Sequence, residues 1–335
     1  MASTTLPPLR YLTEADVVAA MPPLEDCLRL AELTLTALAT PGATQLPPKI
    51  AIHPRPTGAF VHAMPAHLRG AAANDDLAGM KWVAGFSTNS ELGLPSISAI
   101  VVLNDPRTGI PTAILDGGPI TAQRTAAVTG VALRHYGPVV PRRAPLVALI
   151  GAGVQGRSHL PVLGLVLPGL ELQIFDPHPE RAAALADAAR ATAGIAAASA
   201  APDARGAIDG ADVVVTAASF TSPDHRQAMT NAWLTPHATI VPIDYDTYCA
   251  AQVARDADLF LVDHTEQFLA SRDAGNFAGY PDPGAMLGTG ILAGTPRPPG
   301  RVVVVHLGVG LADVVFGDAI VRVAAKRGLG TLLTR

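Results

Sequence analysis

The stretch 145-PLVALIGAGVQGRSHL-160 holds an apolar strand, a glycine-rich turn and the opening of a helix within sixteen residues. Gly151, Gly153 and Gly156 form GxGxxG directly after the strand and directly before the helix. In that context Gly151 permits the tight turn, Gly153 lets a pyrophosphate approach the backbone, and Gly156 allows close helix packing. The helix N-terminus adds unpaired N–H groups and partial positive charge. The next strand, 171-ELQIFD-176, ends on Asp176. An acid at that place accepts from both ribose hydroxyls and repels a 2′-phosphate, which predicts NAD in preference to NADP. His178 and Arg181, close by in sequence, soften that preference.

Outward from this turn the chain keeps a strand–helix rhythm. Helix 179-PERAAALADAARATA-193 is followed by strands 211-ADVVVTAA-218, 238-ATIVPID-244 and 257-ADLFLVD-263, and 301-RVVVVHLG-308 precedes a helix over 311–328. Such alternation predicts a parallel, doubly wound sheet. The N-terminal part reads differently. Thr13 caps a helix beginning at Glu14, and a second amphipathic helix runs from Pro23 to Ala39. The runs 59-AFVHAMPA-66, 80-MKWVAGF-86, 97-ISAIVVLN-104 and 110-IPTAIL-115, the last two joined by 105-DPRTG-109, read as an antiparallel meander. Residues 119–137 are helical, with Pro119 in the first turn and Gly137 past the end. The expected fold is therefore α/β. It comprises a Rossmann domain over 121–305 and an α+β domain made of 1–120 with the C-terminal helix in 306–335.

Composition narrows the function. In 335 residues, 49% are hydrophobic, 4% aromatic and 16% charged, which excludes a coiled coil, a disordered chain and a disulfide scaffold. A net charge of −4 leaves no basic footprint for nucleic acid. Cys27 and Cys249 have no metal spacing, and the ten histidines form no HxxH or HExxH group, so no metal site is expected. No charged region followed by an apolar one opens the chain, and the run 161-PVLGLVLPGL-170 is too short to span a bilayer. A cytoplasmic protein with a small-molecule substrate, and without membrane or nucleic-acid partners, is the expectation. Of 24 cationic residues only Lys49, Lys81 and Lys326 are lysines, so a retained lysine hints that a titratable amine is wanted there.

Four polar positions stand out in apolar surroundings. Lys81 is the sole charge in 77-LAGMKWVAGF-86 and is either functional or a snorkelling edge lysine. Arg124, in 121-TAQRTAAVTG-130, suits a carboxylate or a structural ion pair. Asp244 and Asp246 follow the strand in 240-IVPIDYD-246, on the ligand side of an open sheet, and one of them can equally cap the next segment. Lys49 precedes strand 50-IAIH-53 and reads equally as a surface lysine.

Over nearly its whole length the chain resembles the ornithine cyclodeaminase/mu-crystallin family. The matching pieces are 64-MPA-66, Lys81 with Asn89 and 93-GLP-95, 109-GIPTAILDGGPITAQRTAAV-128, 150-IGAGVQGRSHL-160, 211-ADVVVTA-217 and Asp246. The resemblance implies a homodimer, an N-terminal substrate and dimerisation domain, and redox chemistry at an amino acid Cα–N bond. It puts Lys81 near the reacting amine, Arg124 and Lys49 on the α-carboxylate, Ser96 near nicotinamide or substrate, and Asp246 as acid/base beside Lys81. For the cofactor it implies Gly151, Gly153, Val154, Gln155, Gly156 and Asp176, with Thr125, Thr216, Ala217 and Ile243. Three positions depart from the family pattern. Lys49 replaces an Arg, His62 stands where ornithine-using members have a Glu, and His306 replaces a Ser. The expected activity is an NAD-dependent amino acid dehydrogenase or cyclic imine/ketimine reductase. The alternatives are a cyclodeaminase turning a diamino acid such as ornithine into proline with catalytic NAD, and a non-enzymatic mu-crystallin-like binding protein.

Overall fold

The computed structural model describes residues 6–55, 58–138, 140, 143–219, 221 and 223–335. They form two compact units, 1–124 with 309–335, and 125–308. The first division falls inside a helix and the second just after a strand.

The first unit begins with β1 (Leu9–Leu12), α1 (Glu14–Ala20) and α2 (Leu24–Leu38). Thr13 caps α1 in a capping box. Its hydroxyl accepts the Asp16 N–H, and the Asp16 carboxylate accepts the Thr13 N–H. In α2, Cys27, Leu28, Ala31, Leu35 and Leu38 fall on one buried face at helical spacing. Short strands β2 (Thr44–Gln45) and β3 (Ile50–Ile52) precede the meander β4 (Phe60–Leu68), β5 (Leu77–Gly85), β6 (Ile97–Asn104) and β7 (Pro111–Asp116), and α3 (Gly118–Tyr136) follows. The register sets Met64, Lys81, Val101 and Leu115 side by side across β4, β5, β6 and β7, all on the buried face. Lys81 thus sits in an apolar cross-strand row on an interior strand.

The second unit carries β8 (Leu146–Ile150), α4 (Val154–Val166), β9 (Leu170–Phe175), α5 (Pro179–Arg190), β10 (Ile195–Ala200), α6 (Ala204–Ile208), β11 (Val213–Thr216) and β12 (Thr239–Pro242). It continues with α7 (Ala251–Arg255), β13 (Leu259–Val262), α8 (Thr265–Asp273), β14 (Ala285–Met286), α9 (Leu287–Leu292) and β15 (Val302–Val305). The strands pair in the order β10-β9-β8-β11-β12-β15-β13-β14, parallel throughout. Chain order reverses next to β8, and in open α/β sheets ligands bind at such a switch point. The valine-rich runs of β11 and β15 are buried along their whole length, as strands covered on both faces must be.

The chain then returns to the first unit with α10 (Gly310–Arg327) and β16 (Thr331–Leu333). The first sheet runs β16-β1-β7-β6-β5-β4-β2, with β3 also on β4. Helix α10 packs on β4, β5 and β6. It starts so close that a Cβ at Gly310 would lie 2.3 Å from the Met64 carbonyl oxygen. Among the described residues, no helix is long and apolar enough to cross a membrane, and no group of three or more His, Cys, Asp or Glu could hold a metal ion.

Candidate functional site

In the second unit, β8 runs into Gly151 at φ 105, where a Cβ would lie 2.4 Å from the Ala217 carbonyl oxygen. Only glycine is free of strain there. At Gly156 a Cβ would lie 2.2 Å from the Gly151 carbonyl oxygen and 3.3 Å from Leu185. Its foremost task is therefore to close the turn on itself, with helix packing second. Gly153 differs: nothing lies within 4 Å of the position a Cβ would take. It is the N-cap of the thirteen-residue helix α4, without a side-chain cap, and Val154 and Gln155 follow in the first turn. The Asp176 carboxylate accepts the Ala152 N–H at 2.8 Å and the His178 N–H at 2.9 Å, which anchors it at the end of β9. An open approach over Gly153, a helix N-terminus and an anchored acid together fit the pyrophosphate and ribose of a dinucleotide.

Thr216 and Asp244 form a clasp. The buried Thr216 hydroxyl donates to Asp244 Oδ1 at 2.6 Å, and the Ala218 N–H donates to Oδ2 at 3.2 Å. Thr216 therefore spends its hydroxyl on the protein, and it and Ala217 shape the strand end. The Ile243 N–H adds a bond to the Thr216 carbonyl at 2.9 Å. Thr125 is buried on α3. Of the two acids the sequence left open, Asp244 does the clasping. Burial pushes its carboxyl up to about 7 from the ordinary 3.8. Between about pH 4 and that value the folded state holds a proton that the unfolded chain has lost, so stability rises as pH falls across this window. Asp244→Asn should flatten that slope, as read by thermal unfolding at a series of pH values; an unchanged slope would remove Asp244 as its source.

Asp246 sits in a strained setting. Its Oδ1 lies 3.4 Å from Arg226 Nη1, and its Oδ2 accepts the Phe277 N–H at 3.1 Å and Gln227 Nε2 at 3.5 Å. Among the described residues, three non-glycines have positive φ: Gln227 (60), Tyr245 (61) and Phe277 (54). Each bonds to Asp246 or adjoins it in the chain. Backbone strain of this kind persists where the surroundings enforce it, and it concentrates at functional residues.

A buried chain of bonds was not visible from the sequence. His159 Nδ1 lies 2.7 Å from the Gln155 carbonyl, and the Thr129 hydroxyl lies 2.9 Å from His159 Nε2 and 3.0 Å from His306 Nε2. A carbonyl only accepts, so His159 carries its hydrogen on Nδ1. Burial pushes this ring down to about 4, so it is neutral and its Nε2 accepts from Thr129. The hydroxyl has one hydrogen, so His306 donates to it. His306, noted in the sequence only as a departure, thus helps to fix the first turn of α4.

The first unit holds a cationic cluster. Lys81 is 1% exposed, with Nζ 2.9 Å from Asp313 Oδ2 and 3.4 Å from the Thr121 hydroxyl. Arg124 Nε lies 3.3 Å from Asp313 Oδ1. This burial excludes the snorkelling reading. Within the first unit the acid paired with Lys81 is Asp313, a residue the sequence reading did not single out, and within the second unit the cation paired with Asp246 is Arg226. Burial, followed by the Arg124 charge, brings the Lys81 ammonium down to about 7 against the opposing pull of Asp313. His62 stacks on Phe60 with ring centroids 4.5 Å apart. Burial, with Lys49, His53 and Lys81 beside it, pushes His62 down to about 4, so it is neutral at pH 7. Lys49 is half-buried just before β3. Ser96 is exposed just before β6, and its carbonyl accepts the Phe86 N–H at 2.8 Å. The missed residue is Asp313, whose only signal was a lone acid within 307-LGVGLADVVFG-317.

The family model for the ornithine cyclodeaminase/mu-crystallin family matches residues 12–280. The chain belongs to this family. It is 35% identical over 333 residues to the nodulation efficiency protein NfeD of Rhizobium meliloti, covering 98% of this chain and 99% of that one. It is 31% identical over 232 residues to the Delta(1)-pyrroline-2-carboxylate/Delta(1)-piperideine-2-carboxylate reductase of Azospirillum brasilense, covering 67% and 68%. Among solved structures, Delta(1)-pyrroline-2-carboxylate reductase of Thermococcus litoralis, determined with NADH and L-proline, shares the fold. The TM-score is 0.82 at 23% identity, over 96% of this chain and 99% of that one.

Proposed function

We propose that this family member is an NAD-dependent oxidoreductase of the Cα–N bond of α-amino and α-imino acids, working as a reductase of cyclic imines. The observation that carries the proposal is the buried Lys81–Asp313–Arg124 cluster, in which a lysine gives up or takes a proton near pH 7 beside a permanent cation. The family resemblance and the reductase relatives support it. Reducing C=N requires a hydride at Cα and a proton at nitrogen. The Gly151–Gly156 turn, the α4 N-terminus and Asp176 would hold NADH, which would supply the hydride when bound. Arg124 and Lys49 hold the α-carboxylate, which fixes Cα for attack. Lys81 delivers the proton to nitrogen, and Asp246 is the second acid/base group. Neutral His62 offers no anion to a distal ammonium, which favours an imine without one over a diamino acid.

NADH absorbance should fall with cyclic α-imino acids, and the reverse reaction should appear with the matching amino acids. Ammonia release from a diamino acid without net cofactor turnover would instead establish cyclodeamination.

The protein acts as a homodimer in the cytoplasm in this proposal, its two thiols buried and unpaired. The register lines up Ile50, Ala63, Trp82 and Ile100 across β3, β4, β5 and β6 on the outer face of the first sheet, with Trp82 42% exposed. An apolar row of this kind suits a second copy of the chain. Trp82→Glu should shift the sedimentation coefficient from dimer to monomer; a dimer that persists would place the interface elsewhere.

A further inference from the structure

A single buried carboxylate serves two buried cations. Asp313 is 0% exposed on the first turn of α10 and gives one oxygen to each: Oδ2 to the Lys81 ammonium on β5 and Oδ1 to the Arg124 guanidinium on α3. Among the described residues of its own unit, the charged groups that face Lys81 are Arg124 from α3, Lys49 from the segment before β3 and Asp313 from α10, and of these three Asp313 is the negative one. The Thr121 hydroxyl and neutral His62 on β4, also beside it, carry no charge. Without Asp313, two buried cations would face each other with little solvent screening, and a buried ammonium discards its proton under such conditions. Arg124 cannot, because a guanidinium keeps its charge. The loss therefore falls on Lys81.

We propose that Asp313 is a positioning residue for proton transfer by Lys81: one oxygen on each cation holds ammonium and guanidinium at a fixed spacing and keeps Lys81 protonated for delivery to the imine nitrogen. This rests on the proposed imine chemistry for its kinetic consequence, but not for its effect on Lys81 itself. The geometry separates the two oxygens' tasks, so shortening, lengthening or neutralising the carboxylate has different results.

The experiment compares the full-length protein with its Asp313→Asn and Asp313→Glu variants. With three lysines in the chain, isotope-labelled lysine gives few enough side-chain resonances to follow Lys81 directly by NMR across pH, with or without turnover. In Asp313→Asn the Lys81 midpoint should drop by about one pH unit or more, as removal of an adjacent opposite charge requires. Its kcat for imine reduction should fall about 100-fold, with the basic limb of the pH profile moving the same way. NADH binding should stay near wild type. Asp313→Glu keeps the charge but not the spacing, so its basic limb should stay in place while kcat falls about tenfold. An unmoved Lys81 midpoint in the Asn variant, or wild-type kcat in either variant, overturns the proposal. If the Asn variant does not fold, the Glu variant decides through its kcat. A wild-type protein that reduces no imine, yet whose Lys81 midpoint shifts in Asp313→Asn, would refute the proposed function and leave the electrostatic link standing.

Discussion

Lys81→Arg, conservative on paper, is expected to lower kcat by about 100- to 10,000-fold, the range for loss of a general acid, while NADH binding and the fold remain. Lys81 is enclosed by Met64 and Val101 in the sheet and by the Asp313 and Arg124 pair beside it. Its proton is exchangeable near pH 7 because burial and Arg124 oppose the charge. An arginine there keeps the charge and loses the chemistry, because a guanidinium holds its proton throughout the working range and is planar and larger. Lys81→Met is the companion variant. It preserves length and leaves Arg124 and Asp313 as a neutral pair, so thermal stability should match or exceed wild type while turnover is lost. Steady-state kinetics, NADH titration and thermal unfolding of both variants check this. Near-normal activity in Lys81→Arg would reduce Lys81 to a carboxylate anchor and would remove the hint that the retained lysine is there for its titratable amine.

Legibility in the sequence followed contact range. The GxGxxG turn, the parallel strands flanking it, the Thr13 helix cap and the antiparallel meander are local patterns, and each appears where its pattern placed it. Strand β10 was missed because its six residues, IAAASA, hold one β-branched side chain, so pairing with β9 rather than propensity makes it a strand. Strands β1 and β16 are short, and each depends on a partner far along the chain. Lys81 was conspicuous because a lone charge in an apolar strand is costly. Its partner was not, since 189 residues separate Arg124 from the Asp313 they share. The same holds for Thr129 and His306, 177 residues apart, whose hydroxyl–imidazole bond ties α3 to the end of β15. Nor does any local signal announce left-handed backbone at Gln227, Tyr245 and Phe277, none of which is a turn-forming residue type. The sequence therefore revealed the residues that break a local rule and concealed the ones that compensate for them.

The glycines of the dinucleotide turn separate the needs of the fold from those of the ligand, and substitution should expose the difference. Gly151→Ala places a methyl against the Ala217 carbonyl oxygen at a positive φ, so the folded protein itself carries the cost. A loss of roughly 2–4 kcal/mol in stability is expected, and NADH binding should fall with it. Gly153→Ala meets no protein atom within 4 Å, and the residue has an extended φ of −79 that alanine adopts freely. Stability should change by no more than about 1 kcal/mol, the cost of alanine at an N-cap. The methyl nevertheless occupies the space through which a pyrophosphate reaches the helix N-terminus, so NADH affinity should fall by about 10- to 100-fold. Thermal unfolding and NADH fluorescence titration of the two variants read both quantities. Wild-type affinity in Gly153→Ala would mean that no phosphate lies over this turn. An affinity loss at unchanged stability would locate the pyrophosphate there, because the methyl has nothing else to disturb.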